Sequence, residues 1–254
     1  MKQDKVKICV IGVGHLGQYH VQKYKAHPDV EILGVVDTNC DRAVEIGNRY
    51  GVRAYSEYKE ILPMADAVSL AVPTESHFEV AKDILAEGKH LLIEKPITYQ
   101  LGPADTLIKM AEDKGLILQV GLVERFNPAV VKMESMLNKP LFIESHRMNN
   151  FTTRGTDVDV VLDLMIHDLD IILHIAGSDV KDIHAVGMSV VTGKTDVANA
   201  RLVFENGITA NLTASRVSDR VTRKIRVFQP NGYLLADCHK REFYMTRMDN
   251  NKRD

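Results

Sequence analysis

Lys5-Val6-Lys7-Ile8-Cys9-Val10-Ile11-Gly12-Val13-Gly14-His15-Leu16-Gly17 is the stretch on which the fold turns. Lys5 to Ile11 reads as a short buried strand. Gly12 to Gly17 matches Gly-x-Gly-x-x-Gly and leads into a helix from His15 to Lys25 that stops before His27-Pro28. The spacing has a geometric reason. Gly12 permits the tight turn, Gly14 lets a pyrophosphate approach the backbone, and Gly17 lets the helix pack closely on the strand. The phosphates then meet the helix N-terminus, with His15 and Leu16 beside them. Asp37 lies 20 residues after Gly17 and ends the next apolar run, Val30 to Val36. A carboxylate there accepts hydrogen bonds from ribose hydroxyls and repels a 2′-phosphate, so NAD is favoured over NADP. Arg42 leaves NADP open.

Outward from this stretch, strand alternates with helix. Arg42 to Tyr50 is a helix closed by Gly51, and Ala67 to Val72 is a third strand. A helix from Ser76 to Glu87 ends at Gly88, followed by a strand from His90 to Ile93. The pattern closes with a helix from Leu101 to Lys114 and a strand from Leu116 to Val120. Continuous apolar strands in this rhythm predict a doubly wound parallel sheet with helices on both faces. After about Gly121 the rhythm changes to longer β segments: Leu141 to Met148, Asp182 to Val190, Asn199 to Phe204, Ile208 to Ser215, Thr222 to Phe228 and Tyr233 to Asp237. Asn206-Gly207 and Asn231-Gly232 mark hairpins. A helix from Asp159 to Ala176, capped by Thr156 or Asp157 and ended by Gly177, interrupts the strands. The expected fold is α/β: a Rossmann domain over residues 1–121, then an α+β domain over 122–254 with a large, mostly antiparallel sheet.

Bulk properties narrow the function. The 254 residues suffice for two modest cores, with 45% hydrophobic and 26% charged residues, as in an ordinary globular protein. A formal net charge of −2 argues against a general nucleic-acid binder. The basic tract from Arg220 to Arg226 interleaves with apolar residues and reads as a solvated strand face. Cys9, Cys40 and Cys238 are too scattered for a disulfide framework and read as reduced packing residues. No signal-peptide pattern and no apolar run of about 20 residues is present, so no membrane partner is expected and the cytoplasm is the default location.

Two further elements carry chemistry. Val72-Pro73-Thr74 ends a strand with His77 just beyond, where Pro73, Thr74 and His77 are candidate cofactor neighbours. His90 to Ile93 breaks into Glu94-Lys95-Pro96, setting a lysine at the carboxyl end of a central strand beside the expected nicotinamide, with Glu94 next to it. On the late helix, advancing about 100° per residue gathers Asp159, Asp163, His167, Asp170 and His174 into an arc of roughly 80°. Val160, Leu164, Ile171 and other apolar residues fill the rest of the circumference. Asp163 and His167, one turn apart, suit a carboxylate that orients an imidazole for proton transfer. An exposed outer edge, or a metal held by Asp163, His167 and His174, is the alternative; no HExxH or His-Cys grouping supports the metal, and none is expected.

Taken together, GVGHLG (12–17), VVD ending at Asp37, AVPTESH (71–77), EKP (94–96) and the Asp163-x-x-x-His167 element resemble the Gfo/Idh/MocA oxidoreductases over nearly the whole chain. The resemblance implies that Lys95, Asp163 and His167 are catalytic and face the nicotinamide. The segments GLVERFNP (121–128) and VDVVLDLMIHD (158–168) look most like members that oxidise the sugar 3-hydroxyl of UDP-N-acetylglucosamine-type substrates. That likeness makes Arg125, Asn127, Arg147, Asn149 and Arg154 candidates for holding the sugar or its diphosphate. A dehydrogenase of free sugars or inositols, or a dinucleotide-sensing regulator without chemistry, is the alternative. The sequence departs from the family where Thr156-Asp157-Val158-Asp159 replaces a glycine-rich approach and where Met165 stands in place of glycine. It also stops at 250–254, before the C-terminal strand and helix usual in the family. Leu202, Phe204, Ile208, Ala210 and Leu212 are expected to form a sheet face that meets another subunit in a homodimer or homotetramer.

Overall fold

A computed structural model describes residues 4–152, 156 and 158–247. Arg154, the Asp157 cap and the chain end at 250–254 lie outside the described residues. The chain divides into two compact units, one through Gly121 and one from Leu122. Among the described residues, no helix is long and apolar enough to cross a membrane.

The first unit runs β1 (Val6–Ile11), α1 (Gly17–Lys25), β2 (Val30–Val36), α2 (Cys40–Tyr50), β3 (Arg53–Tyr55), α3 (Tyr58–Ile61), β4 (Ala67–Leu70), α4 (His77–Ala86), β5 (His90–Ile93), α5 (Leu101–Asp113) and β6 (Leu118–Val120). The strands pair in parallel in the order β3-β2-β1-β4-β5-β6. The order reverses between β1 and β4, so their carboxyl ends open the crevice in which such sheets hold ligands. Cys9, Ile11, Leu70, Leu91 and Ile93 fill the core on these central strands. Gly51 ends α2 in the left-handed conformation (φ 64°), which glycine adopts without a Cβ penalty. The sequence pattern did not show β3 or α3. Three residues are too few for a period, and α3 is a single turn.

In the second unit, the elements are α6 (Pro128–Glu134), β7 (Phe142–Met148), α7 (Ile166–Ala176), β8 (Val180–Met188), β9 (Val197–Phe204), β10 (Thr209–Ser215), β11 (Thr222–Gln229), β12 (Gly232–Asp237) and β13 (Glu242–Arg247). The sheet order is β13-β12-β11-β7-β10-β9-β8, antiparallel except between β7 and β10. Asn231 (φ 66°) turns the chain between β11 and β12, as its Asn-Gly pair predicts. Neither α6 nor β13 was among the expected elements.

Three expectations are corrected. Leu202, Phe204, Ile208, Ala210 and Leu212 do not form an open face. They are buried in the unit's own core with Ile171, Ile172 and Ile175 of α7 and Val130 and Met133 of α6. The other sheet face, with Phe142, Phe228 and Tyr233 stacked around Arg226, is the more exposed one. The late helix is not a uniform α-helix, because Val161–Met165 forms a π-turn before α7 begins. Finally, Cys40 is exposed rather than packed, whereas Cys9 and Cys238 are buried; all three are free thiols.

The start of that helical segment is tied down by a buried carboxylate. Asp196 Oδ2 accepts from the backbone N–H groups of Val190, Val191 and Thr192 at 2.7–2.8 Å, and Oδ1 accepts from the Thr192 hydroxyl at 2.6 Å. Arg216 stands 3.7 Å from Asp196 and donates to the Val158 carbonyl at 2.7 Å, while Val160 N–H donates to the Thr195 carbonyl. Burial alone would raise the Asp196 carboxyl, but the hydrogen bonds from Thr192, Val191 and Val190 hold it below the ordinary carboxylate range. A depressed folded-state pKa contributes stability above the unfolded value of about 4, and that stability is lost as pH falls toward the folded value. Asp196→Asn is therefore expected to lower Tm most at neutral pH, with the gap to wild type narrowing below about pH 4. Thermal melts from pH 7 to pH 3 test this, and a gap that widens on acidification overturns it.

Candidate active site

The glycine loop is shaped by contacts that exclude side chains. Gly12 has φ 82°, and a Cβ there would lie 2.7 Å from the backbone of Ala71 and Val72 at the end of β4. A Cβ on Gly17 would overlap the Gly12 carbonyl oxygen, so α1 closes onto the loop only with glycine at that position. At Gly14 a Cβ would meet nothing, and the tip residues Gly14, His15 and Leu16 are exposed. α1 begins without a side-chain cap. An open tip and a helix N-terminus without a side-chain cap together fit a dinucleotide pyrophosphate.

Asp37 stands beside this cradle. Its Oδ2 accepts from Val13 N–H and its Oδ1 from Asn39 N–H, each at 2.9 Å. Arg42 braces the same loop from α2, donating from Nε to the Val13 carbonyl at 2.8 Å and from Nη1 to Glu45 at 2.7 Å. Arg42 is thus engaged with the loop and with Glu45.

At the neighbouring strand ends, Pro73 is exposed and Thr74 half-buried in a short 3₁₀ turn. His77 has a different place from the expected one. It is 1% exposed, with Nδ1 2.9 Å from the Pro96 carbonyl and Nε2 3.0 Å from the Val72 carbonyl. Both ring nitrogens are occupied by backbone, so His77 is a strut between two strand-end turns rather than a ligand contact. Lys95 follows Glu94 at the end of β5, precedes a cis peptide bond to Pro96 and is half-buried. Glu94 is buried, and its carboxylate is held within the unit by His20, 3.0 Å away, and by the Lys95 N–H at 3.2 Å.

In the second unit the polar stripe separates into distinct roles. Asp159 caps the helical segment, accepting from Val161 and Leu162 N–H at 2.9 Å, where the sequence pointed to Thr156 or Asp157. Asp170 holds the Arg125 guanidinium, with Nε 3.0 Å from Oδ2 and Nη2 on Oδ1. His174 is exposed, 3.8 Å from Glu134. Asp163 lies inside the π-turn and His167 in the first turn of α7, both half-buried. The wider π-turn adds residues to a helical turn and rotates the residues after it, so a constant 100° step does not carry across it. π-turns of this kind recur at functional sites.

Two of the expected substrate contacts are structural instead. Arg147 is 2% exposed; its Nε and Nη2 donate to Asp168 Oδ1 at 2.9 and 2.7 Å, and Nη2 also reaches Glu124 at 3.1 Å. Ser145 donates to the other Asp168 oxygen at 2.6 Å. Burial by itself would lower the Arg147 pKa, yet the adjacent Asp168 and Glu124 charges raise it. Asn127 caps α6, accepting from Ala129 N–H at 3.1 Å and donating to the Cys238 carbonyl at 3.0 Å. The Asn-Pro pair at 127–128 is a helix-start signal that would have found both this cap and α6. Arg125 remains partly exposed, and Asn149 is half-buried at the end of β7. Asp168 was missed because nothing local distinguishes a buried acid from an exposed one on an amphipathic helix. Among the described residues, no three His, Cys, Asp or Glu side chains stand as a metal-binding group.

Comparison with known proteins agrees with this geometry. Residues 6–122 match the oxidoreductase family with an NAD-binding Rossmann fold, and residues 129–235 match the GFO/IDH/MocA C-terminal domain. The chain is 42% identical over 229 residues to UDP-N-acetylglucosamine 3-dehydrogenase of Acidithiobacillus ferrooxidans, covering 90% of this chain and 72% of that one. The solved structure of that enzyme superposes with a TM-score of 0.90 at 38% identity, covering 99% of this chain and 85% of the other. Myo-inositol 2-dehydrogenase of Thermotoga maritima is 27% identical over 251 residues, 91% of this chain and 75% of its own. On these matches and on the Rossmann sheet with its glycine cradle, the chain belongs to the Gfo/Idh/MocA oxidoreductase family.

Proposed function

We propose that this oxidoreductase removes a hydride from C3 of a UDP-N-acetylhexosamine-type sugar nucleotide, with NAD as the acceptor, and yields the 3-keto sugar. The observation that carries the reading is the 42% identity to a UDP-N-acetylglucosamine 3-dehydrogenase over 90% of this chain, in a chain that also has Lys95, Asp163 and His167. Gly12, Gly14 and Gly17 with the start of α1 hold the pyrophosphate, and Asp37 takes the adenosine ribose. The nicotinamide, when bound, supplies the hydride acceptor. A ring nitrogen of His167 takes the proton of the 3-hydroxyl, and Asp163 orients that ring. Lys95 Nζ positions and polarises the reacting oxygen, favouring its negative charge as the C–H bond breaks. Arg125, held by Asp170, is the arginine proposed to face the nucleotide diphosphate. A second copy of the chain is proposed to cover the open sheet face around Phe142, Phe228 and Tyr233.

Asp37 also supports NAD over NADP, since its charge opposes a 2′-phosphate and Arg42 is engaged with the loop and Glu45. Asp37→Asn is expected to reduce the preference for NAD by about tenfold, the equivalent of ~1.4 kcal/mol. Ratios of kcat/KM for the two dinucleotides measure this; an unchanged ratio overturns the assignment. The substrate reading is tested by following NADH formation with UDP-N-acetylglucosamine, UDP-N-acetylgalactosamine, free N-acetylglucosamine and myo-inositol. Turnover confined to the UDP sugars is expected. Turnover confined to inositol or free sugars replaces the substrate, and tight NADH binding without turnover of any supports a sensing role.

A further inference from the structure

His20 lies in the first turn of α1, three residues after Gly17, and its ring joins two strands of the sheet. Nδ1 is 2.7 Å from the Ser69 hydroxyl on β4, and Nε2 is 3.0 Å from Glu94 Oε1 at the end of β5. The other oxygen of Glu94 accepts the Lys95 N–H. A Cβ on Gly121 would lie 3.0–3.2 Å from the same carboxylate, so the end of β6 packs closely on Glu94. One neutral tautomer satisfies the whole chain: Nε2–H donates to Glu94, and Nδ1 accepts from Ser69. Ser, His and Glu in this order resemble a nucleophile triad, but Ser69 is 1% exposed on a central strand and no substrate reaches it.

A buried carboxylate is an acceptor only and needs donors, and His20 and the Lys95 amide both donate to Glu94. The hydrogen bonds run from the helix whose N-terminus receives the pyrophosphate to the backbone of the strand-end lysine. We infer that His20 is a positioning residue for Lys95, acting through Glu94. This rests on the role proposed above for Lys95. His20 itself touches neither sugar nor nicotinamide.

The test compares His20→Leu with His20→Gln, whose side-chain amide retains a donor near the position of Nε2. His20→Leu is expected to lower kcat by about 10- to 100-fold, the scale of a misplaced catalytic group, with KM for NAD and sugar little changed. His20→Gln is expected to recover most of that loss. Without any sugar, the rate of Lys95 acetylation by acetic anhydride, read by mass spectrometry, is expected to change by about threefold or more in His20→Leu and to stay near wild type in His20→Gln. Lys109, exposed on α5, serves as the internal control. If His20→Leu does not fold, Glu94→Gln provides the same labelling comparison, since its amide NH2 replaces one of the two oxygens that accept from His20 and Lys95. Unchanged kcat with unchanged Lys95 labelling overturns the inference, as does a loss that tracks Tm and is not recovered by glutamine. If wild type turns over none of the sugars, the functional reading fails and the labelling still decides the role of His20.

Discussion

Replacing His167 by Asn or Lys95 by Ala is expected to lower kcat by about 10²–10⁴-fold, the usual contribution of a positioned acid or base, while NADH binding stays nearly intact. Oxidation of a secondary alcohol needs two events at one carbon: the hydroxyl proton leaves as the hydride departs. Asn preserves part of the shape of imidazole but cannot take a proton at neutral pH, so His167→Asn removes the proposed acceptor. Alanine at 95 removes the cation proposed to stabilise the oxygen. Neither change alters the glycine cradle or Asp37, which lie on other elements, so fluorescence titration with NADH reads binding separately from chemistry. A primary deuterium isotope effect at C3 should also rise in both variants as the chemical step becomes limiting. Undiminished turnover in both would sink the assignment.

The second large effect concerns stability. Asp168→Ala removes the acid that shares one oxygen between two Arg147 nitrogens and the other with Ser145. It leaves a guanidinium that is 2% exposed with Glu124 as its remaining carboxylate neighbour. Breaking one side of a buried ion pair costs about 3–5 kcal/mol. That is a large share of the roughly 5–15 kcal/mol by which a native protein is stable. A buried pair replaced on both sides by apolar residues of similar volume is often neutral, so Arg147→Met with Asp168→Leu should recover much of the loss. Urea unfolding of the single and double variants measures the difference. A loss below about 1 kcal/mol in Asp168→Ala means the cluster is not a closed, buried one. Because Asp168 comes directly after His167, the same anchor sets the rotation at which α7 presents His167.

How far the sequence could be read depended on the range of the interaction involved. The glycine loop, the strand ends at Asp37 and Lys95, the helix stop at Gly177 and the Asn231 turn each depend on a few neighbouring residues, and each was legible. The stripe from Asp159 to His174 was legible as a pattern but not as a set of roles. One acid caps the helical segment, one binds Arg125, and the last histidine lies near Glu134. Only Asp163 and His167 are left for the proposed chemistry. The apolar positions of β9 and β10 were read correctly as one face and assigned to the wrong neighbour, since alternation does not say whether a helix or a second subunit covers it.

By itself, then, the sequence determined the parallel Rossmann sheet, its glycine loop and the antiparallel second half, because steric rules and side-chain period act over a few residues. The tertiary structure alone decided that Arg147 and Asn127 are structural, that His77 is a strut, that a π-turn carries Asp163, and that His20 reaches Glu94. Those outcomes depend on pairs 19 to 111 residues apart and on a change of helical pitch, which burial and hydrogen-bond satisfaction select only once the chain has folded.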